Sequence, residues 1–502
     1  MASISLLSLS AYLVVAFAAY RLYAAYRLRR ATQLHGCQSA TRYKHKDPIF
    51  GLDIFLRTGA AITKNEFLVE HQQRYDTYGH TFEALNFGAR AIYSFHPENI
   101  RAVFSNDAAD WGVQPLRLQN MSPFCGTGFI TTDGSSWKIS HDLLKPSFHR
   151  SNISDFQPLE EHLRILLDQI PKDGTAFDIQ PYILKLACLP PLHLGLQLAN
   201  TCGTPPPHAE GFLDAFQAGF NGCGLRIALG PLSFLMPKGS WLKACDKVHQ
   251  FADVYVDRAI EYHKKVNSAE NTQGKTDQRT LLFGMAQKTD DRTILRNQIV
   301  QAMMASTETT ASLISHAIRN LASNPVLYAH VRAEVLALGE APLDFDQLPR
   351  IKSLQHVILE TLRLFPVFPQ NNRVALKDTI LPTGGGPDGN APVFAPAGTL
   401  FDTSFFTLHR HPKIWGPDAD EFRPSRWEND SSPPPFTFMP FGAGPRQCLA
   451  QQKATMETSY ILARLLQDFS AIRSKDEKPY QAQIALTAKS AHGCLVSLTP
   501  VT

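Results

Sequence analysis

Apolar residues recur with helical spacing over most of the 502-residue chain. They stand at positions i, i+3 and i+4 in long segments that are also rich in helix-favouring residues. Short β-prone stretches lie between these segments, without the strand–helix alternation of a doubly wound sheet. The pattern predicts a mainly α fold with a small β-sheet. Helices are expected over residues 159–170, 211–220, 242–266, 292–321, 325–338, 349–365 and 450–469, and strands near 81–94, 374–381 and 494–498.

Two polar segments interrupt this pattern and predict loops. Residues 268–278 lie between two predicted helices, and residues 382–398 are so rich in Gly and Pro that they should continue neither a helix nor a strand. Residues 111–123 and 221–241 are interpreted as variable loops that carry pocket residues.

The N-terminus combines an apolar run with basic residues behind it. Residues 2–20 carry no charge and nearly reach the roughly 20 residues that span a bilayer. Arg21, Arg27, Arg29 and Arg30 follow. Positive charge on this side predicts an uncleaved, single-pass membrane anchor with the rest of the chain in the cytosol. A cleaved secretory signal is the alternative.

Composition excludes several classes of protein. The 49 Lys and Arg nearly balance the 45 Asp and Glu, giving a net charge of +4, so a nucleic-acid partner is not expected. A hydrophobic share of 44% is typical of a folded protein. The eight cysteines are dispersed and form no CxxC pair, which favours reduced, buried thiols. The P-loop, GxSxG and HExxH motifs are absent from the sequence.

A Gly- and Pro-rich segment, residues 438–450, leads Cys448 to the start of a predicted helix. The helix dipole and nearby backbone N–H groups favour a thiolate there, which is a ligand for a soft metal. Gly442 and Gly444 let the backbone approach a flat cofactor, and Arg446 can pair with an anionic substituent on it. A purely structural cysteine is the other interpretation of this segment.

The spacing of Phe441, Gly444, Arg446 and Cys448 resembles the haem-binding FxxGxRxC signature of the cytochrome P-450 family. The resemblance extends over essentially the whole chain. It implies the cytochrome P-450 fold behind the N-terminal helix and haem b as cofactor. Cys448 would then be the thiolate ligand of the iron, with Phe441 and Arg446 in contact with the haem.

Two upstream motifs fall in the order found in that family. Glu360 and Arg363 resemble its ExxR pair, and Arg426 resembles the arginine that completes the trio. One helical turn separates Glu360 from Arg363, so the two side chains can pair. The resemblance implies that the trio locks the core beneath the haem and performs no chemistry.

Residues 305–310 resemble the small-small-x-acid-Thr motif of the oxygen-side helix. The resemblance implies that Thr309 donates a hydrogen bond to dioxygen and that Glu308 relays protons. Ser306 replaces the usual glycine. Consecutive small and hydroxyl residues compete for backbone carbonyls, so we expect this helix to open locally.

Trp137 and His141 resemble the WxxxR segment whose side chains bind the haem propionates. His141 stands where arginine is usual, and a neutral imidazole brings no permanent charge. By resemblance, Arg373 is a further propionate ligand. Ala450 occupies a position where glycine is commonest.

The resemblance implies a monooxygenase that takes electrons from NADPH through a separate flavoprotein reductase, since the chain carries no nucleotide or flavin fingerprint. The expected layout is an anchor over residues 1–26 in the endoplasmic reticulum membrane, a basic linker over 27–50 and a haem-thiolate catalytic domain over 51–502. A reductase-independent peroxide-rearranging enzyme and a non-catalytic haem protein are the alternatives from other classes.

Residues 45–51, 373–379 and 384–389 resemble a fungal membrane-bound branch that hydroxylates alkanes and fatty acids. The departures at Ser306 and His141 favour a narrower, lipophilic substrate, such as a polyketide or terpenoid in secondary metabolism. Terminal hydroxylation of fatty acids or alkanes is the alternative. The apolar residues 225–241 either pack in the core or admit substrate from the bilayer.

Overall fold

The computed structural model describes residues 6–187, 211–268, 281–339, 342–430 and 432–501. The helices in chain order are α1 Leu6–His35, α2 Leu52–Thr63, α3 Phe67–Tyr78, α4 Pro97–Arg101, α5 Gln114–Cys125, α6 Gly134–Leu144, α7 Arg150–Ile153, α8 Gln157–Gln169, α9 Phe212–Leu229, α10 Gly239–Ser268, α11 Leu281–Ala286, α12 Arg292–Ser323, α13 Pro325–Leu336, α14 Lys352–Leu364, α15 Phe405–Leu408, α16 Pro412–Trp415 and α17 Gln451–Asp468. The strands are β1 Thr41–Arg42, β2 Thr81–Asn86, β3 Ala89–Ser94, β4 Trp111–Gly112, β5 Phe177–Asp178, β6 Gln370–Ala375, β7 Thr379–Gly385, β8 Ala391–Ala395, β9 Leu400–Ser404, β10 Phe469–Ser474, β11 Ala482–Ile484, β12 Ala488–Ser490 and β13 Leu495–Pro500.

The prediction of a mainly helical fold with small sheets is confirmed. Each of the seven predicted helices is present, and local chemistry explains their limits. Helix α12, for example, begins where the Asp291 carboxylate accepts the N–H groups of Thr293 and Ile294, at 2.8 and 3.0 Å.

The segment 221–241 was wrongly predicted as a loop. Helix α9 continues to Leu229, and a 3₁₀ segment, Gly230–Leu235, follows it. The helix stops at Gly230, whose φ of 52° lies in the left-handed region that glycine tolerates. The predicted loop over residues 111–123 is likewise mostly helical, because it contains most of α5.

The chain divides into two compact units, and the first consists of Met1–Phe55, Gln73–Trp111 and Asn372–Thr403. Its main sheet has the strand order β1-β2-β3-β9-β6-β4. The β2–β3 pair is antiparallel, whereas β1 pairs with β2 and β3 with β9 in parallel.

A separate hairpin, β7–β8, occupies much of the segment 382–398 that was predicted to form no strand. The turn between its strands contains Gly386 and Gly389, with φ values of 78° and 72°. These glycines end the strands at a turn without preventing the pairing on either side of it. The prediction was therefore wrong for both flanks of the turn.

Helix α1 extends from Leu6 to His35, and several of its apolar side chains, such as Tyr12, Val14, Val15 and Tyr20, are exposed. Among the described residues, no helix has the length and apolar character that crossing a membrane would require. Part of the predicted anchor, residues 1–5, lies outside the described residues. The predicted loop 268–278 lies outside them except for its first residue.

The second unit consists of Leu56–Gln72, Gly112–Asn371 and Ser404–Thr502. Helix α12 runs through both of its main apolar clusters. The N-terminal half of α12 packs in a cluster with α5, α9, α10 and α11, and the C-terminal half packs in another with α8, α13, α14 and α17. Because α12 is buried by both clusters, side chains along it have fixed positions within this unit.

Candidate functional site

Cys448 ends a tight loop that begins at Phe441 and precedes α17. The Cys448 N–H donates to the Phe441 carbonyl at 3.0 Å. Gly442 and Gly444 adopt left-handed φ values of 72° and 66°, which the turn requires. The Cys448 side chain is accessible, but the many protein atoms around the loop still desolvate the thiol in part and raise its pKa, and a backbone hydrogen bond from Ala450 acts in the opposite direction. The loop thus fixes the sulfur immediately before the helix.

Cys448 differs from the other described cysteines in exposure. Its side chain is exposed, whereas the rest of the described set is buried: Cys37, Cys125, Cys223, Cys245 and Cys494. This confirms the expectation of buried thiols for those five residues. Only Cys448, among the described cysteines, has a sulfur that a large ligand can reach.

Arg446 lies in the same loop as Cys448, beside helix α6. Its Nη2 atom donates to the Thr132 carbonyl and to the Asp133 carboxylate, both at 2.6 Å. The guanidinium carbon is 4.8 Å from the Trp137 ring centroid, and that ring lies 4.9 Å from the His141 ring. The structure therefore brings together three of the predicted propionate ligands, Arg446, Trp137 and His141.

The segment from Gly126 to Asp133 connects α12 to the cysteine loop. Gln301 on α12 accepts the Ile130 N–H at 2.8 Å and donates to the Cys125 carbonyl at 3.0 Å. The backbone of Gly126 approaches α12 so closely that a Cβ atom there would lie 2.1 Å from Asn297. Since Arg446 binds the other end of this segment, displacement of α12 would be transmitted to the loop that carries Cys448.

Helix α12 exposes a narrow stripe of small side chains. Ala302, Ala305, Ser306 and Thr309 are partly accessible, whereas the residues between them are buried. Their spacing of three and four residues places them on one face. The hydroxyls of Ser306 and Thr309 donate to the carbonyls four residues earlier, at 2.9 and 2.7 Å. The stripe can therefore present a hydroxyl to a bound molecule.

The expected local opening of this helix is absent from α12, which is continuous from Arg292 to Ser323. The hydroxyls bond to carbonyls in addition to the backbone ladder, and no backbone bond has to break. This expectation was wrong for that reason.

Glu308, the predicted proton relay, is buried on α12. Its carboxylate accepts hydrogen bonds from Gln217, Thr487 and Lys489. Thr309 directs its hydroxyl to Ala305 instead. The two predicted catalytic side chains are thus adjacent in sequence but bonded to different partners.

Glu360 and Arg363 form a fully buried ion pair on α14. Two parallel bonds of 2.7 and 2.8 Å join the guanidinium to the carboxylate. Arg426 approaches the same carboxylate at 3.4 Å, as the motif predicted. The indole N–H of Trp427 adds a bond of 2.9 Å that the motif did not predict. Arg363 also donates to the His409 carbonyl at 2.8 Å, so the trio fastens α14 to the segment after α15.

Phe441 and Arg373 are the two remaining residues that were predicted to contact the haem. Phe441 is partly buried and packs against the apolar cluster that contains α14 and α17. Arg373 is buried on β6, with its guanidinium 4.5 Å from the Phe104 ring, and it belongs to the first unit.

The donor set of the second unit suits a haem. The accessible Cys448 sulfur would bind the iron, the neighbouring basic and aromatic side chains would bind the propionates, and the small residues of α12 present a face without bulky side chains. Cys448 would hold the iron, and Arg446, Trp137 and His141 would hold the propionates. A thiolate-ligated haem supplies the chemistry that cleaves dioxygen and inserts one oxygen atom into a C–H bond. Thr309 would supply a hydrogen-bond donor to a bound molecule, and Glu308 would relay a proton through its carboxylate.

Sequence reasoning missed several residues that the fold brings to these groups. The bond from Trp427 to Glu360 could have been expected from the sequence, because Trp427 directly follows Arg426, the arginine that completes the trio. Asp133, Gln217, Thr487 and Lys489 lie far in sequence from their partners and carry no motif, so only the tertiary structure identifies them.

Comparison with known proteins agrees with this geometry. The family model for cytochrome P-450 matches residues 46–495. Similar proteins include the cytochrome P-450 monooxygenase apdE of Emericella nidulans, 35% identical over 92% of this chain and 89% of the relative. They also include himC of Aspergillus japonicus, 35% identical over 97% and 88%, and iccC of Talaromyces variabilis, 33% identical over 95% of each chain. The chain therefore belongs to the cytochrome P-450 family and is a haem-thiolate monooxygenase.

Proposed function

We propose that this monooxygenase hydroxylates a lipophilic specialised metabolite at an unactivated carbon. Ser306 is the observation that carries the proposal. Its side chain lies on the accessible face of α12 between Ala302 and Thr309, where a glycine would leave more room. A narrower space beside the oxygen-side hydroxyl favours selection of one substrate shape over tolerance of many lipids.

The similar fungal proteins named above are themselves called cytochrome P-450 monooxygenases, which supports the reaction type in this proposal.

The test is turnover by membranes that contain the protein and a reductase, supplied with NADPH. A panel should contain long-chain fatty acids, alkanes, and larger polyketide and terpenoid scaffolds. We expect a spin-state shift and a hydroxylated product with one of the larger scaffolds. Efficient turnover of simple long-chain acids or alkanes, with no response to the scaffolds, would replace this proposal by terminal hydroxylation in lipid metabolism.

We infer that electrons come from NADPH through a separate flavoprotein reductase that docks near α6. Trp137 contacts Arg446, so this helix lies beside the cysteine loop. Lys138 and Ile139 on its outer face are exposed, at 66% of the side chain and 67% of the residue. Charge-dependent docking predicts reduction that slows as salt is raised. A Lys138→Glu variant should show a weaker salt dependence, whereas equal salt dependence would move the docking face elsewhere.

We propose that α1 anchors the protein in the endoplasmic reticulum membrane, with the catalytic body in the cytosol. Support comes from the charge-free residues 2–20, the arginines that follow, and the exposed apolar side chains of α1. Protease added to sealed microsomes should digest the body. Complete protection of the body would reverse this topology, and secretion would indicate a cleaved signal.

A further inference from the structure

The Glu308 carboxylate is surrounded by hydrogen-bond donors. Glu308 is 3% exposed. Its Oε1 atom accepts from the Gln217 amide at 2.9 Å and from the Lys489 ammonium at 3.5 Å, while Oε2 accepts from the Thr487 hydroxyl at 2.7 Å. An ionised carboxylate can only accept hydrogen bonds, and three donors satisfy it. The geometry therefore holds the side chain in one orientation.

The donors come from two segments that are remote from α12 in sequence. Gln217 lies on α9, and Thr487 and Lys489 belong to the β11–β12 hairpin, Thr487 in its turn and Lys489 on β12. Glu308 thus connects a helix and a hairpin to the oxygen-side helix. The Gln217 and Thr487 connections are hydrogen bonds of ordinary length to a carboxylate, and the Lys489 contact at 3.5 Å is a longer ion pair.

The same face of α9 also touches the hairpin turn. A Cβ atom at Gly224 would lie 3.4 Å from Leu486, so the helix backbone approaches the turn closely. Gln217 and Gly224 are seven residues apart, which places them on one side of the helix. Helix α9 and the hairpin therefore meet at Gly224 and are both bonded to Glu308 two turns away.

We infer that Gln217 and Thr487 are positioning residues for oxygen activation, because they fasten the Glu308 carboxylate between α9 and the hairpin. Glu308 is bonded to Gln217, Thr487 and Lys489 and the Thr309 hydroxyl to the Ala305 carbonyl, so at least one of the two side chains has to reorient before the acid can serve Thr309. Movement of α9 or of the β11–β12 hairpin would then shift the position of the Glu308 carboxylate. Lys489, whose side chain is 26% exposed, supplies a positive charge on the solvent side of the carboxylate.

The first measurement is amide hydrogen exchange in the haem-loaded, full-length protein. Thr487→Val removes the hydroxyl donor and keeps the side-chain shape, whereas Thr487→Ser keeps the donor. The matched control is Gln483→Ala, because Gln483 is exposed on the same hairpin. We expect Thr487→Val to raise exchange in residues 212–229 and 482–490 roughly tenfold, the effect of losing one hydrogen bond to a charged group. Thr487→Ser and Gln483→Ala should match the wild type.

The second measurement uses the reductase-reconstituted enzyme with NADPH and no added substrate. The ratio of peroxide released to NADPH consumed reports how much oxygen leaves as peroxide, which takes two electrons and two protons, instead of being cleaved to water, which takes four of each. Thr487→Val should raise this ratio and Thr487→Ser should restore it, with the thiolate-type spectrum unchanged in both. A Thr487→Val protein with wild-type exchange would overturn the inference. So would faster exchange with an unchanged peroxide ratio, since Thr487 would then be structural only.

Discussion

The Arg446 guanidinium and the Asp133 carboxylate form an ion pair at 2.6 Å, and both side chains are largely shielded from solvent. The same carboxylate accepts the Val113 and Gln114 N–H groups at 3.1 and 2.8 Å, where α5 begins. One acidic side chain therefore holds the start of α5, the start of α6 and the cysteine loop together.

Replacing Asp133 by Asn should destabilise the protein. An amide leaves Arg446 without its counter-charge and cannot accept both backbone N–H groups with equal strength, so the free energy of unfolding should fall by about 1–3 kcal/mol. Chemical denaturation measures this change. Asp142→Asn is the matched control, because Asp142 lies on α6, which begins directly after Asp133, and is exposed. An equal loss in both variants would contradict the role assigned to Asp133.

The haem-binding loop shows how far the sequence predicts the site. Cys448, Arg446 and Glu360 stand in spaced motifs, so their chemistry is readable without a structure. Asp133 carries no such pattern, because its role depends on a loop whose course is set by Gln301 on another helix. Motifs record local geometry, whereas partners from distant segments appear only after folding.

The secondary-structure elements show the same limit on what the sequence predicts. Long segments with apolar periodicity, such as α12, were predicted within a few residues. The hairpin β7–β8 was missed because its glycines indicate a turn and conceal the strands beside it. Helix α6 was missed because its eleven residues give only a short periodic signal and no side-chain cap marks its start. Tertiary contacts decide such short elements.

Cys448→Ser should abolish the thiolate-type Soret band of the ferrous carbonyl complex. A hydroxyl oxygen is a poor ligand for iron compared with a thiolate, and residues 438–450 contain no second cysteine. Absorbance spectra of reduced protein under carbon monoxide measure the band. Cys37→Ala is the control, since Cys37 is buried in the first unit, and it should keep the band. Persistence of the band in Cys448→Ser would reject Cys448 as the ligand.

Glu360→Gln should prevent stable folding or lower the free energy of unfolding by about 3–5 kcal/mol, because it leaves the buried Arg363 charge uncompensated. Soluble yield and denaturation midpoints measure the effect. The exposed pair formed by Glu261 and Lys265 provides the control. Glu261→Gln should leave the midpoint unchanged, and equal behaviour of the two variants would show that the buried trio is dispensable.

Thr309→Ala should uncouple NADPH use from productive oxygen chemistry. The variant keeps the haem ligand but loses the hydroxyl on the accessible face of α12, so a larger share of electrons should leave as peroxide. The measurement is peroxide released per NADPH consumed. Thr310→Val is the control, because Thr310 is buried on the same helix. If Thr310→Val raised the ratio and Thr309→Ala did not, the donor would be Thr310.

Stability should fall as the pH is lowered, in part because of His409. Burial lowers the pKa of His409 to about 3, and its Nε2 atom accepts the Met439 N–H at 2.8 Å. The unfolded residue titrates near pH ~6.5. Between these values the unfolded chain binds a proton that the folded chain does not, so protonation favours unfolding. The loss reaches about 1.4 kcal/mol per pH unit for one such group.

His409→Gln should make that dependence shallower, since glutamine can still accept the Met439 N–H but takes up no proton. Urea denaturation between about pH 6.5 and about pH 4.5 measures the slope. His316 is also buried, and its pKa is lowered to about 3, so a second change at that position should flatten the slope further. Parallel slopes for the wild type and His409→Gln would show that the folded protein protonates His409 as readily as the unfolded chain does.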